Sequence, residues 1–174
     1  RNSPLLTHVH TYQGIKRVWT TFSDDQIDLN FANPEVLCEF VHILFSYIAQ
    51  GARFIRLDAI AFLWKELSTS SINLEQTHCV VRVLRALIDE MQTRTLLLTE
   101  TNLPHNENVS YFGSRDEAHL VYQFSLAPLI LYSYLFNDGQ YLGQWAEQLE
   151  PPPAGCSFVN FIASHDGIGL RPLE

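Results

Sequence analysis

Three short apolar runs, each leading into an acid, constrain this chain more than any other feature. They are Ala52-Arg53-Phe54-Ile55-Arg56-Leu57-Asp58, Thr95-Leu96-Leu97-Leu98-Thr99-Glu100, and Phe158-Val159-Asn160-Phe161-Ile162-Ala163, which runs on into Ser164-His165-Asp166. All are too short for buried helices and read as strands. Between them the pattern takes on a helical period. Asn33-Pro34-Glu35 is a helix start, with Asn as cap, Pro at the first helical position and Glu at the positive end of the dipole. Val36, Leu37, Phe40, Val41, Leu44, Phe45 and Ile48 then recur at helical spacing until Gly51 stops the run. A second helix is predicted over 74–91, a weaker strand over 119–124, an apolar helix opened by Pro128, and another helix over 140–149. Residues 1–32 lack this rhythm and read as an elaborate loop with a short strand at 16–22. Helix and strand in alternation, with apolar strands covered on both faces, means a parallel α/β fold.

Parallel α/β folds build their sites at the carboxyl ends of the strands, in closed barrels and open sheets alike. Asp58, Glu100 and Asp166 all stand there. No glycine-rich phosphate fingerprint follows any strand, which argues against a dinucleotide or P-loop site. With period two, Ile55 and Leu57 face one way and Arg56 and Asp58 the other. An inward charged pair is costly, and a neighbouring guanidinium favours an ionised, oriented carboxylate. Such a group is a nucleophile, an electrostatic clamp or a structural ion pair. Carboxylates gathered in one pocket have a further use in glycoside chemistry: one attacks an anomeric carbon, while another, kept protonated by like-charge crowding, donates to the departing oxygen.

Composition narrows the field. The 174 residues suffice for one domain with a real core, and a net charge of −8 argues against a nucleic-acid partner. No apolar run is long enough to span a bilayer, so no membrane role is expected. Cys38, Cys79 and Cys156 are odd in number and scattered, and are expected to be reduced core thiols in a cytoplasmic protein, not zinc ligands. His8 and His10 lack a partnering Cys or carboxylate, so no metal site is expected there. The triplet Asn108-Val109-Ser110 fits a glycosylation acceptor only by chance. The sequence carries no signal for an oligomeric state.

Arg56-Leu57-Asp58-Ala59, Thr99-Glu100-Thr101 and Ser164-His165-Asp166, in that order, resemble three consecutive signature blocks of the alpha-amylase family, glycoside hydrolase family 13. Gln26 to Pro34, Phe124 to Leu131, and His165-Asp166-Gly167-Ile168-Gly169 are similar to its sucrose phosphorylase subgroup, in which glycine stands where an ordinary amylase has asparagine after His-Asp. The loop from Thr101 to Gly113 looks more like the glucosylglycerate phosphorylase branch.

The resemblance implies a partial (β/α)8 barrel, an internal piece of a larger enzyme. Residues 1–32 would be the remnant of an inserted loop domain after barrel strand three, and 33–174 the centre of the barrel, roughly helix three to strand seven. It implies Asp58 as nucleophile, Glu100 as general acid/base and Asp166 as the acid that steadies the transition state. Arg56 would position the nucleophile and His165 would bind sugar hydroxyls. Tyr111 and Phe112 are expected to stack on sugar, and Arg171 to meet phosphate. No cofactor is expected; the substrates would be an α-glucoside and inorganic phosphate, giving α-glucose 1-phosphate through a covalent glucosyl-enzyme. Water as acceptor would make the same machinery a hydrolase or, with a sugar, a transglucosidase. A non-catalytic sugar-binding homologue is the alternative of another class.

Overall fold

The structure, a computed structural model, describes residues 5–166 and Ile168. The chain opens on a hairpin, β1 (Leu6–Thr11) and β2 (Gly14–Trp19), paired antiparallel from Leu6↔Trp19 to Thr11↔Gly14. Only part of β2 was foreseen as a strand. β1 escaped because His8 and His10 leave its outer face as polar as a loop; the turn closes on Gly14, whose φ of +101° suits glycine. Helix α1 (Pro34–Ala49) begins where expected, with the Asn33 side chain accepting the Glu35 N–H at 3.1 Å.

Four strands form one parallel sheet in sequence order: β3 (Phe54–Leu57), β4 (Leu96–Thr99), β5 (Leu120–Tyr122) and β6 (Ser157–Val159). Helix α2 (Glu75–Glu90) crosses from β3 to β4, and the short α3 (His105–Val109) with a 3₁₀ turn crosses from β4 to β5. From β5 to β6 the chain passes through α4 (Leu126–Phe136) and α5 (Gln140–Gln148). Neighbouring strands joined in order by helical crossovers make a sector of a (β/α) barrel.

The register sorts the faces. Arg56 pairs with Leu98 and Leu98 with Leu120, so these residues share one face with Tyr122. Leu57, Thr99 and Val121 share the other, which the helices cover. There Leu44, Val80, Leu84, Ile88 and Leu97 form one core cluster, and Ile60, Val81, Tyr111, Phe112, Ala118 and Val121 another. Burying a side chain such as Leu97 or Ile88 contributes roughly 1.5–3 kcal/mol. A buried charge network ties α2 to the segment before β5: the Glu117 carboxylate meets His78 Nδ1 at 2.7 Å and Arg82 Nη1 at 2.9 Å.

Several expectations need correction. β6 stops at Val159 rather than 163, because its partner β5 ends at Tyr122; the last rung is the Gln123 N–H to the Val159 carbonyl, 3.0 Å. Asp166 therefore stands on the loop after the strand. Cys38 and Cys79 are exposed and not in the core, since each lies on the solvent side of its helix. Helix α4 starts two residues before Pro128, which occupies the first turn where a missing N–H costs nothing.

Candidate active site

The first acid is positioned by β3. Alternation turns Arg56 away from the helices, and its guanidinium reaches two carboxylates: Nη1 donates to Asp58 Oδ1, and Nη2 to Asp166 Oδ2 at 2.8 Å. One planar side chain thus joins groups far apart in sequence, a task suited to its forked donors. Its guanidinium carbon lies 5.8 Å from the centre of the Tyr122 ring. Burial works against the Arg56 charge, but Asp58, aided by Tyr122 and Glu100, outweighs burial and raises the arginine's pKa above its ordinary value. His165 Nε2 lies 3.0 Å from the Asp166 oxygen that Arg56 holds.

The second acid stands just past β4. Glu100 donates its N–H to the Leu57 carbonyl at 3.0 Å, which locks it beside the end of β3. Its Oε2 accepts the Ala59 N–H at 2.8 Å. Ala59 has φ +47°, a left-handed conformation uncommon outside glycine. Glu100 is only 8% exposed, whereas the Asp58 side chain is 72% exposed. One carboxyl is sheltered and the other open, an asymmetry that suits two different chemical tasks.

The loop behind Glu100 is fastened to β5. Thr101 Oγ1 donates to Asn108 Oδ1 at 2.6 Å, and Asn108 Nδ2 donates to the Tyr122 carbonyl at 2.7 Å. That bonding buries Asn108, so the Asn-Val-Ser triplet offers no accessible acceptor for a glycan. Tyr122, Phe124 and Phe161 pack as three mutually touching rings, with centroids 5.3–5.5 Å apart. Sequence reasoning passed over them; the available signal was that Tyr122 lies two residues beyond Leu120, on the Arg56 face.

Tyr111 and Phe112, expected to stack on sugar, do not belong to this site. They are 0% and 3% exposed, on the helix-covered side of the sheet. Tyr111 stacks on His78 at 4.4 Å and Phe112 packs edge-on against Phe158, so neither ring faces the acids. Their aromatic character serves the core. Arg171, with Gly167 and Gly169, lies outside the described residues. His8 and His10 are exposed on β1, and among the described residues no three metal-ligating side chains cluster.

A cavity of about 250 Å³ adjoins Asp58, walled by Phe22, Asp28, Phe62 and Lys65 among others. Lys65 Nζ lies 3.3 Å from Asp28 and donates to the Phe62 carbonyl, which pins the loop after β2 beside the nucleophile candidate. Burial lowers the Lys65 pKa, with Asp28 opposing. Larger hollows of about 360 and 610 Å³ lie against Pro151–Pro153 and between α4 and α5, away from the acids. No helix among the described residues is long and apolar enough to cross a membrane.

The profile of the alpha amylase catalytic domain matches residues 16–149. A glucosylglycerate phosphorylase of Spirochaeta thermophila is 52% identical over 174 residues, covering 100% of this chain and 30% of the relative. One from Escherichia coli is 50% identical, covering 100% of this chain and 32% of its own length. Among solved structures, sucrose 6F-phosphate phosphorylase of Thermoanaerobacter thermosaccharolyticum superposes with a TM-score of 0.81 at 21% identity, over 99% of this chain and 34% of that one. An alpha-amylase from H. orenii reaches a TM-score of 0.66 at 18% identity, over 91% and 32%. The chain spans about a third of the length of the curated relatives it matches.

Proposed function

The chain belongs to the alpha-amylase family, and from that premise we propose that it carries the central catalytic face of a retaining α-glucoside phosphorylase, acting on a glucosylglycerate-type substrate. The observation that carries the reading is the convergence at Arg56. Asp58 and Asp166 share its guanidinium, and Glu100 sits on the amide next to Asp58.

In this reading the open Asp58 attacks the anomeric carbon, and the bond to the aglycone oxygen breaks as Glu100 supplies that oxygen with a proton. A β-linked glucosyl ester on Asp58 results. Phosphate then displaces Asp58 from the face the aglycone has left, so two inversions return the α configuration as α-glucose 1-phosphate. Arg56 keeps Asp58 aimed, while Asp166 and His165 grip sugar hydroxyls and steady the oxocarbenium-like charge. No cofactor is required, since two carboxyl groups and phosphate complete the balance. Arg171 is the cation we assign to phosphate. Residues 33–174 form the centre of the barrel in the intact protein and 1–32 an arm beside it. The exposed Phe40, Ile43, Tyr47, Tyr134, Leu135 and Phe136 on α1 and α4 support that placement, as surfaces apolar enough to need a cover. Free cysteines and a sugar phosphate product both suit the cytoplasm.

The test is to incubate the intact protein with α-glucosylglycerate, with and without phosphate. Glucose 1-phosphate formed only with phosphate supports the reading. Free glucose at equal rates in both makes it a hydrolase, and tight binding without turnover makes it a sugar-binding homologue.

A further inference from the structure

The backbone at Ala59 carries more than chain direction. Its φ of +47° is unusual for any residue with a Cβ, and it falls immediately after Asp58. Non-glycine residues persist in this region only where their surroundings enforce it, and such positions concentrate at functional sites. Three hydrogen bonds enforce it here. The Glu100 N–H reaches the Leu57 carbonyl at 3.0 Å, the Ile60 N–H reaches the Glu100 carbonyl at 3.3 Å, and the Ala59 N–H reaches Glu100 Oε2 at 2.8 Å. The first two clamp the Glu100 main chain to the bend after β3. The third aims the bend's own amide at the side-chain carboxyl, and Glu100 is sheltered enough for one donor to matter.

We infer that the left-handed turn at Ala59 is a positioning device: its N–H holds the Glu100 carboxyl in the orientation from which it delivers a proton to the aglycone oxygen. Ala59 is a positioning residue and touches no substrate itself. The inference rests on the proposed role of Glu100 as acid/base, and extends it by naming what orients that carboxyl. A carboxyl oxygen that accepts the amide is turned toward β3, leaving the other oxygen for the reaction. The device also couples the two acids mechanically, because a shift of Asp58 along β3 carries the Ala59 amide and hence Glu100 with it. The titratable groups gathered with Glu100 round Arg56 are Asp58 from β3, Tyr122 from β5, and His165 and Asp166 from the loop after β6. Among the described residues none of them hydrogen-bonds to Glu100, and the Ala59 amide is the polar contact on its carboxyl.

Two substitutions separate positioning from packing. Glycine adopts positive φ freely and keeps the N–H, so Ala59→Gly should stay within about threefold of the parent. Valine is branched at Cβ and opposes positive φ, so Ala59→Val should swing the amide away from Glu100. For a glucoside with a poor leaving group, kcat should then drop about a hundredfold, the lower range of what a placed proton donor supplies. With an activated aglycone that needs no proton, the loss should be under tenfold. Equal losses with both aglycones would overturn the inference.

A measurement independent of turnover completes the test. In intact protein labelled with 15N-alanine, the Ala59 amide proton, deshielded by the carboxyl it donates to, should move clearly upfield in Glu100→Gln. An Ala59 amide resonance left in place by Glu100→Gln refutes the inference even if Ala59→Val fails to fold. Because this readout needs no substrate, it stands or falls separately from the phosphorylase reading.

Discussion

Replacing Arg56 with lysine tests the heart of the site, because lysine keeps the charge and loses the fork. The guanidinium serves Asp58 through one nitrogen and Asp166 through another, whereas an ammonium is a point charge that holds one carboxylate well. The two contacts differ in weight. The Asp58 side chain is 72% exposed, so water screens its contact to about 1 kcal/mol or less. Arg56 and Asp166 are 29% and 35% exposed and their contact is 2.8 Å long, which puts it in the range of a charge-assisted bond, about 1.5–3 kcal/mol. If lysine stays with Asp58 and abandons Asp166, kcat/KM should fall about 10- to 150-fold. The assay is steady-state release of glucose 1-phosphate by Arg56→Lys, Asp166→Asn and the double variant of the intact protein. Because one bond is removed from either side, the two losses should fall short of adding, by a coupling of about 1 kcal/mol or more. Arg56→Lys within twofold of the parent, or losses that add fully, would refute the claim that the bridge organises the acids.

Three other predictions concern stability. His119 accepts the Leu97 N–H through Nδ1 at 3.1 Å, which requires a neutral ring; burial chiefly, and Arg85, lower its pKa, with Asp89 opposing. Its contribution to stability is therefore complete above the unfolded value of about 6.5 and declines as pH falls below it. Denaturant midpoints at pH 7.5 and 5.5 should differ less in His119→Gln than in the parent, and an equal difference would contradict this. Tyr111→Phe should leave stability and KM essentially unchanged, because the buried hydroxyl has no hydrogen-bond partner among the described residues; a raised KM would restore a sugar contact for that ring. Gly113→Ala should destabilise by more than about 1 kcal/mol, since φ is +54° and a Cβ would clash with Asp116 Oδ1 and meet Glu117 Cγ at 2.9 Å; an unchanged midpoint would sink this.

What the sequence disclosed follows from how local each signal was. Helix α1 was legible because cap, period and stop all lie within one stretch, and α2 because its apolar face recurs at helical spacing. The acids were legible because strand alternation and strand ends are local too. The length of β6 was not, since it is set by where β5 ends. Tyr111 and Phe112 looked like binding residues because an aromatic after a strand end has no local mark of the sheet side it will join; packing against His78 and Phe158 decided that. The Ala59 amide was invisible, since a backbone donor leaves no trace in residue type. Glu117 went unremarked in the sequence, because its partners His78 and Arg82 lie on a helix more than thirty residues away.

The most direct test of three acids serving one anomeric carbon is to trap the glucosyl group. A 5-fluoro-α-glucosyl fluoride should form the ester while slowing its breakdown, and peptide mapping of the intact protein should place a single glucosyl mass on the peptide containing Asp58. Turnover without a label on Asp58, or a label on Glu100 or Asp166, would contradict the account.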